Sequence, residues 1–282
     1  MQIQGFHHSN TGTLTYLVWD EGSRDALIID PVLDFDVGRV SFSTVSLQDV
    51  FDAVEQRQLR VHVVLDTHAH ADHVSGMAEV VSRYGCESAV GRSMCRVQQV
   101  FAPMFGLGEA FPTDGSQFDH LLDDGQSMHF GSLEVQVLHT RGHTPACTSF
   151  LIGDALFTGD ALFMPDFGTG RCDFPDGSPE QLYDSVVGKL YTLPPETRVF
   201  VGHDYQPGGR ELRFETTIGD CASSNKQLHA QTSREEFTGW RRQRDSGLSL
   251  PKLLFHAIQI NINAGRLPSP GADGVRCLHL PI

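Results

Sequence analysis

The 282-residue sequence has no apolar run approaching the roughly 18–20 residues that a membrane-crossing helix needs. Basic residues are scarce. With 21 Lys and Arg against 35 Asp and Glu, a formal charge of −14 repels phosphate backbones, so no nucleic-acid partner is expected. Residues 1–10 lack a basic stretch followed by an apolar one, and no secretory signal is expected. The six cysteines, Cys86, Cys95, Cys147, Cys172, Cys221 and Cys277, form no C-x-x-C pair. Their irregular spacing argues for free thiols rather than a disulfide framework. No low-complexity segment or short repeat interrupts the chain. The remaining composition, 40% hydrophobic and 20% charged, is that of a globular chain with a sizeable core. A soluble, cytoplasmic protein is the expectation.

Short strands alternate with helices. Residues 14–19 and 26–29 are β-rich, with Gly22 and Ser23 between them as a hairpin turn. Ser46 opens a helical pattern with Leu47, Val50, Phe51 and Val54 on one face, ending near Leu59. Residues 61–65 are continuously apolar, as in a strand covered on both faces. Residues 73–84 read as a helix closed by Gly85. The second half follows the same order: strands at 133–138, 148–152, 155–158 and 199–202, and a helix over 178–191 that starts with Ser178, Pro179 and Gln181. Two β-rich halves flanked by helices predict a four-layer α/β/β/α sandwich over residues 1–207. From 208 to 282 the strand signal fades, and a C-terminal extension packed on the same domain is expected. Ser233 and Glu236 mark a helix start there, and Arg241, Arg242 and Arg244 read as a solvated face. Residues 252–262 are a helix candidate. Two segments read as possible covers: the stretch around Leu33 to Arg39 as a lid or surface insertion, and 96–111, with Phe101, Met104, Phe105 and Leu107, as a pocket cover or dimer contact.

Histidine carries the chemistry. Immediately after the 61–65 strand comes Asp66-Thr67-His68-Ala69-His70-Ala71-Asp72-His73. His68 and His70, two apart, would diverge on a helix but point the same way at a strand end, so both can approach one ion. Asp72 and His73 follow within reach of a second position. Three further strand ends each offer one donor: His143 in Gly-His-Thr, Asp160 in Thr-Gly-Asp, and His203 in Gly-His-Asp. Ligands of α/β sheets collect at such strand ends.

This pattern resembles the metallo-β-lactamase superfamily. The resemblance implies site-one ligands His68, His70, His143 and Asp160, and site-two ligands Asp72, His73, His203 and a bridging Asp160. Two more motifs, Gly168-Thr-Gly-Arg-Cys-Asp-Phe174 and Gly202-His-Asp-Tyr205, are similar to those of persulfide dioxygenases, and residues 248–281 are similar to the bacterial β-lactamase-hydrolase-like branch of that group, sometimes fused to rhodanese-type domains. The resemblance implies oxidation of glutathione persulfide, or a similar low-molecular-weight persulfide, with O₂ to sulfite and the free thiol. It implies one Fe(II) per chain on His68, His143 and Asp160. A 2-His-1-carboxylate set leaves room on iron for both a sulfur ligand and dioxygen.

His70, Asp72, His73 and His203 then serve as orienting groups or weak ligands. Because they are all retained, a dinuclear site with two Zn(II) and glyoxalase-II-like thioester hydrolysis is the alternative. Arg171, Tyr205 and, less directly, Arg210 and Arg213 are the substrate-binding candidates, since the carboxylates of glutathione call for arginine. Cys172 stands where many glutathione-type relatives have Thr, as a packing residue or a relay for sulfur. The expected partners are a persulfide and O₂, with a homodimer and a rhodanese-type sulfurtransferase implied by resemblance.

Overall fold

The computed structural model describes residues 1–271 and 273–281. Its first half comprises β1 (Gln2–His8), β2 (Thr13–Trp19), β3 (Asp25–Ile29), β4 (Val32–Asp36), β5 (Ser41–Ser43), α1 (Val45–Gln56), β6 (Arg60–Asp66), β7 (Val74–Ser75), α2 (Met77–Tyr84), β8 (Glu87–Gly91), α3 (Met94–Met104) and β9 (His120–Leu122). The second half comprises β10 (Ser127–Phe130), β11 (Leu133–His139), β12 (Thr148–Ile152), β13 (Ala155–Phe157), α4 (Pro179–Val186), β14 (Arg198–Phe200), β15 (Glu215–Thr217), α5 (Ile218–Ser224), α6 (Arg234–Asp245) and α7 (Leu254–Asn261).

Side-chain alternation stacks these elements into layers. The first sheet, in the order β1-β2-β3-β6-β8-β9, sends Leu14, Tyr16, Leu27, Ile29, Val63 and Leu65 inward. There they meet Val135, Val137, Phe150 and Phe157 of the second sheet, which runs β10 to β15 in order. Leu17, Ile28 and Val64 point the other way, into a core closed by α1, α2, α3 and α7. Leu156, Val199 and Val201 face α4, α5 and α6. Three buried layers between four structural ones make the α/β/β/α sandwich, and the 61–65 run is apolar throughout because its strand has a core on each side.

Four local expectations change. The helix placed at residue 73 begins at Met77, because Val74 and Ser75 pair instead with Leu33 and Val32. The stretch around Leu33 therefore belongs to a small sheet, β5-β4-β7, that braces the end of the metal-donor motif. The 96–111 segment comprises most of α3 and the loop after it, and Phe101 of the helix and Phe105 just past its end are buried in the first sheet's outer core. The 178–191 helix stops at Val186 and resumes as one 3₁₀ turn at Leu190–Thr192. Among the described residues no helix is long and apolar enough to cross a membrane.

Candidate metal centre

The donors converge where strands of both sheets end. His68 and His70 follow β6, His143 follows β11, Asp160 follows β13 and His203 follows β14. His68, His143 and Asp160 each offer one ligand atom within 4.8 Å of the other two, and all three are buried. His70, Asp72 and His73 form a second set under the same limit. His203 joins the two, with Nε2 3.3 Å from Asp160 Oδ1 and 3.6 Å from Asp72 Oδ2.

Hydrogen bonding shows which atoms face the centre. His143 Nδ1 donates to the carbonyl oxygen of Arg171 at 2.6 Å, which leaves Nε2 free, 3.4 Å from Asp160 Oδ2. His70 Nε2 donates to Asp30 at 3.0 Å, so its Nδ1 is the free atom. Asp30 also takes the Thr67 amide at 2.7 Å and so fixes the start of the motif. His68 Nε2, His70 Nδ1, His73 Nε2 and Asp160 Oδ1 are all buried without a hydrogen-bond partner. Four orphaned donors aimed at one small region would each cost free energy in a metal-free protein. They fit a divalent cation.

The protonation states agree. Burial, and secondly the His70 imidazole, hold His68 well below the ordinary imidazole value. Burial and His73 do the same to His70, so both rings are neutral, as metal ligation requires. Burial pushes the Asp72 carboxyl up, but His203 and His73 outweigh it and hold the group well below the usual carboxylate range.

A cavity of about 270 Å³ opens on two members of the triad, His143 and Asp160, and is walled also by Asp72, Phe163, Phe167 and Tyr205. A larger one, about 590 Å³, runs along the β4–β5 hairpin; it touches Asp72 and His73 but not the triad. Of the substrate-binding candidates, Tyr205 lies in the smaller cavity, half exposed, with its ring stacked on His203 at 5.2 Å. Arg171 also lines it, although its guanidinium is engaged by Asp173 at 2.5 Å and by the Ser249 carbonyl at 2.8 Å. Arg213 does not reach the cavity and pairs with Asp166 at 2.7 Å. Arg210 is locked between Asp166 and Asp204.

The reading of Arg241, Arg242 and Arg244 as a solvated face also needs correcting. Arg241 is only 2% exposed and is paired with Asp245. Arg242 pairs with Glu180 at the surface. Arg244 reaches the cavity with no carboxylate partner among the described residues. Cys172 is buried, and burial pushes its thiol far up, which suits a packing residue and not a sulfur relay.

Sequence reasoning missed Asp30, Thr13, whose hydroxyl donates to Asp72 Oδ2 at 3.3 Å, Asn261, whose side-chain amide donates to the His70 and His73 carbonyls, and the Arg241–Asp245 pair. Asp30 directly follows β3 and could have been suspected as a strand-end carboxylate. The rest reach the site from distant parts of the chain, without a local signal.

Comparisons with known proteins place this geometry. The metallo-beta-lactamase superfamily profile matches residues 9–203. The chain is 41% identical to a "Probable metallo-hydrolase" of Burkholderia pseudomallei, over 100% of this chain and 99% of that one. It is 41% identical to the "Beta-lactamase hydrolase-like protein" of Xylella fastidiosa over its whole length, but spans 64% of that protein. The human "Persulfide dioxygenase ETHE1, mitochondrial" is 34% identical over 68% of this chain and 64% of its own. Among solved structures, ETHE1 from Myxococcus xanthus superimposes with a TM-score of 0.75 at 32% identity, covering 94% of this chain and 100% of that one. The chain belongs to the metallo-β-lactamase superfamily, with persulfide dioxygenases of the ETHE1 type among its homologues.

Proposed function

We propose that this chain is a persulfide dioxygenase, acting on glutathione persulfide or a similar small persulfide at one Fe(II) held by His68, His143 and Asp160. The observation that carries it is the buried triad of two imidazoles and one carboxylate, of which His143 and Asp160 line a cavity that also holds arginine. Likeness to the persulfide dioxygenases supports the same reading. The net reaction is R–S–S⁻ + O₂ + H₂O → R–SH + SO₃²⁻ + H⁺: the terminal sulfur is oxidised, dioxygen is reduced, and the S–S bond breaks. An iron ion held by His68, His143 and Asp160 would supply redox chemistry and a place for the sulfur anion and dioxygen to meet.

The residues do the rest. The Arg171 carbonyl keeps the His143 ring in one tautomer with Nε2 inward. Phe163, Phe167 and Tyr205 narrow the cavity and limit water around the reacting sulfur. Arg244, and Arg171 in part, attract the carboxylates of the thiol carrier, and the Tyr205 hydroxyl can donate to it.

One observation favours a second reading. His70 Nδ1 and His73 Nε2 are orphaned and buried, so the donors of a dinuclear zinc site, and with them thioester hydrolysis, are intact. Metal content of protein purified without added metal, paired with oxygen uptake on glutathione persulfide, separates the two. About one iron per chain with persulfide-dependent oxygen consumption is expected. Two zincs per chain, no oxygen uptake and turnover of a glutathione thioester would overturn the proposal.

A further inference from the structure

The loop after β13 is gripped from both sides. On its inner side it holds two members of the triad. The Gly170 amide donates to the Asp160 carbonyl at 3.0 Å, and the Arg171 carbonyl accepts from His143 Nδ1 at 2.6 Å. The approach is so close that a Cβ on Gly170 would lie 2.3 Å from the Asp160 oxygen. No side chain fits there, which explains the glycine without invoking an unusual φ.

On its outer side Thr169, Gly170 and Cys172 of the same loop are held by one ion pair of α6. Arg241 Nη1 donates to the carbonyls of Gly170 at 3.1 Å and Thr169 at 3.4 Å. Its Nε and Nη2 bind Asp245 Oδ1 at 3.0 and 2.5 Å. The other carboxylate oxygen, Asp245 Oδ2, accepts from the Cys172 amide at 2.8 Å. Arg241 and Asp245 are 2% and 5% exposed, so a desolvated ion pair is spent on backbone groups of this loop. Replacing such a pair with apolar groups is often no worse for stability, so stability alone is a weak reason for it.

We propose that Arg241 and Asp245 are positioning residues for the metal centre, setting the orientation of His143 and the placement of Asp160 through the backbone of residues 169–172. The C-terminal extension is then a working part of the site, although it contributes no ligand. The pair shapes the centre whatever reaction the metal supports. The inference rests on the metal site of the preceding reading and not on its substrate, so a test by metal binding can succeed where the persulfide assay fails.

The experiment measures metal affinity in the full chain. Asp245→Asn keeps the acceptor for the Cys172 amide but removes the charge facing Arg241, and Arg241→Met removes both carbonyl contacts. Arg242→Ala, on the exposed face of the same helix, is the control. Iron(II) affinity is read by chelator competition. Cobalt(II), added in place of iron, reports coordination geometry through its visible absorption, which a merely structural role would not move. Both variants are expected to bind iron about 10–100-fold more weakly, the usual effect of losing a group that orients a metal ligand, with a changed cobalt spectrum. The control should match the parent protein. Folded variants with parental affinity and an unchanged cobalt spectrum would overturn the proposal. If Arg241→Met does not fold, the outcome with Asp245→Asn decides.

Discussion

At the scale of single residues, the structure separates side chains by what they are already bonded to. Arg171, Arg210 and Arg213 each have carboxylate partners, whereas Arg244 reaches the cavity without one. Replacing Arg244 with Gln should raise KM for an anionic persulfide about tenfold, the effect of about 1.4 kcal/mol. Arg213→Gln should stay within about twofold, and steady-state kinetics on both variants checks the ranking.

The cysteines give a prediction with a definite pH sense. Burial pushes the thiols of Cys86 up to about 11 and of Cys147 and Cys221 up to about 12, so near pH 7.5 almost none of each is thiolate. Alkylation should label exposed Cys277 first and reach these three only as the pH rises toward those values or the fold opens; peptide mass spectrometry reads the order. The buried Cys172 should tolerate Thr with parental iron content. That the seven candidate donors would come together was legible because they fall in compact motifs at strand ends, where spacing constrains direction. Arg241 was not. Two neighbouring arginines share its helix, and only packing shows that one is buried, one is paired at the surface and one faces the cavity.

At the scale of elements, the end of the motif 66–73 is held by a helix nearly two hundred residues away. Asn261 Nδ2, at the end of α7, donates to the carbonyls of His70 at 2.8 Å and His73 at 2.9 Å, and its Oδ1 accepts from the Ser75 amide at 2.8 Å. All these groups are buried, so Asn261→Ala leaves three backbone groups unsatisfied. The expected loss is on the order of 2–4 kcal/mol in denaturant unfolding of the metal-free protein. Asn261→Leu, similar in volume, should not rescue it, because the deficit is polar. Strand and helix periodicity could place α7 within two residues but could not show what it caps. The helix expected at residue 73 failed for the matching reason. Val74 and Ser75 are free to pair with β4 only because the 32–43 hairpin returns to that point, a long-range choice that local pattern does not encode.

At the scale of the whole molecule, the boundary at residue 207 suggested by the strand signal divides the ligands from what holds them. Every candidate ligand lies before it. Yet α7 and the turn after it place Leu254, Ala257, Ile258, Ile260 and Ile262 in the same core as α1, α2 and α3. Phe237 of α6 and Ile218 of α5 complete the core on the other face. Fully burying a large aliphatic or aromatic side chain contributes roughly 1.5–3 kcal/mol, so six such residues, counted without Ala257, amount to about 9–18 kcal/mol. A domain has only about 5–15 kcal/mol in total. A chain ending at residue 207 should therefore lack both a closed core and a metal site despite retaining all seven donors. It should show no cooperative thermal transition and hold no stoichiometric iron after desalting, whereas the full chain, on the proposed function, is expected to show the transition and retain iron. A folded, iron-binding 1–207 fragment would show instead that the ligand-bearing half is self-sufficient and that α6 and α7 are an accessory layer.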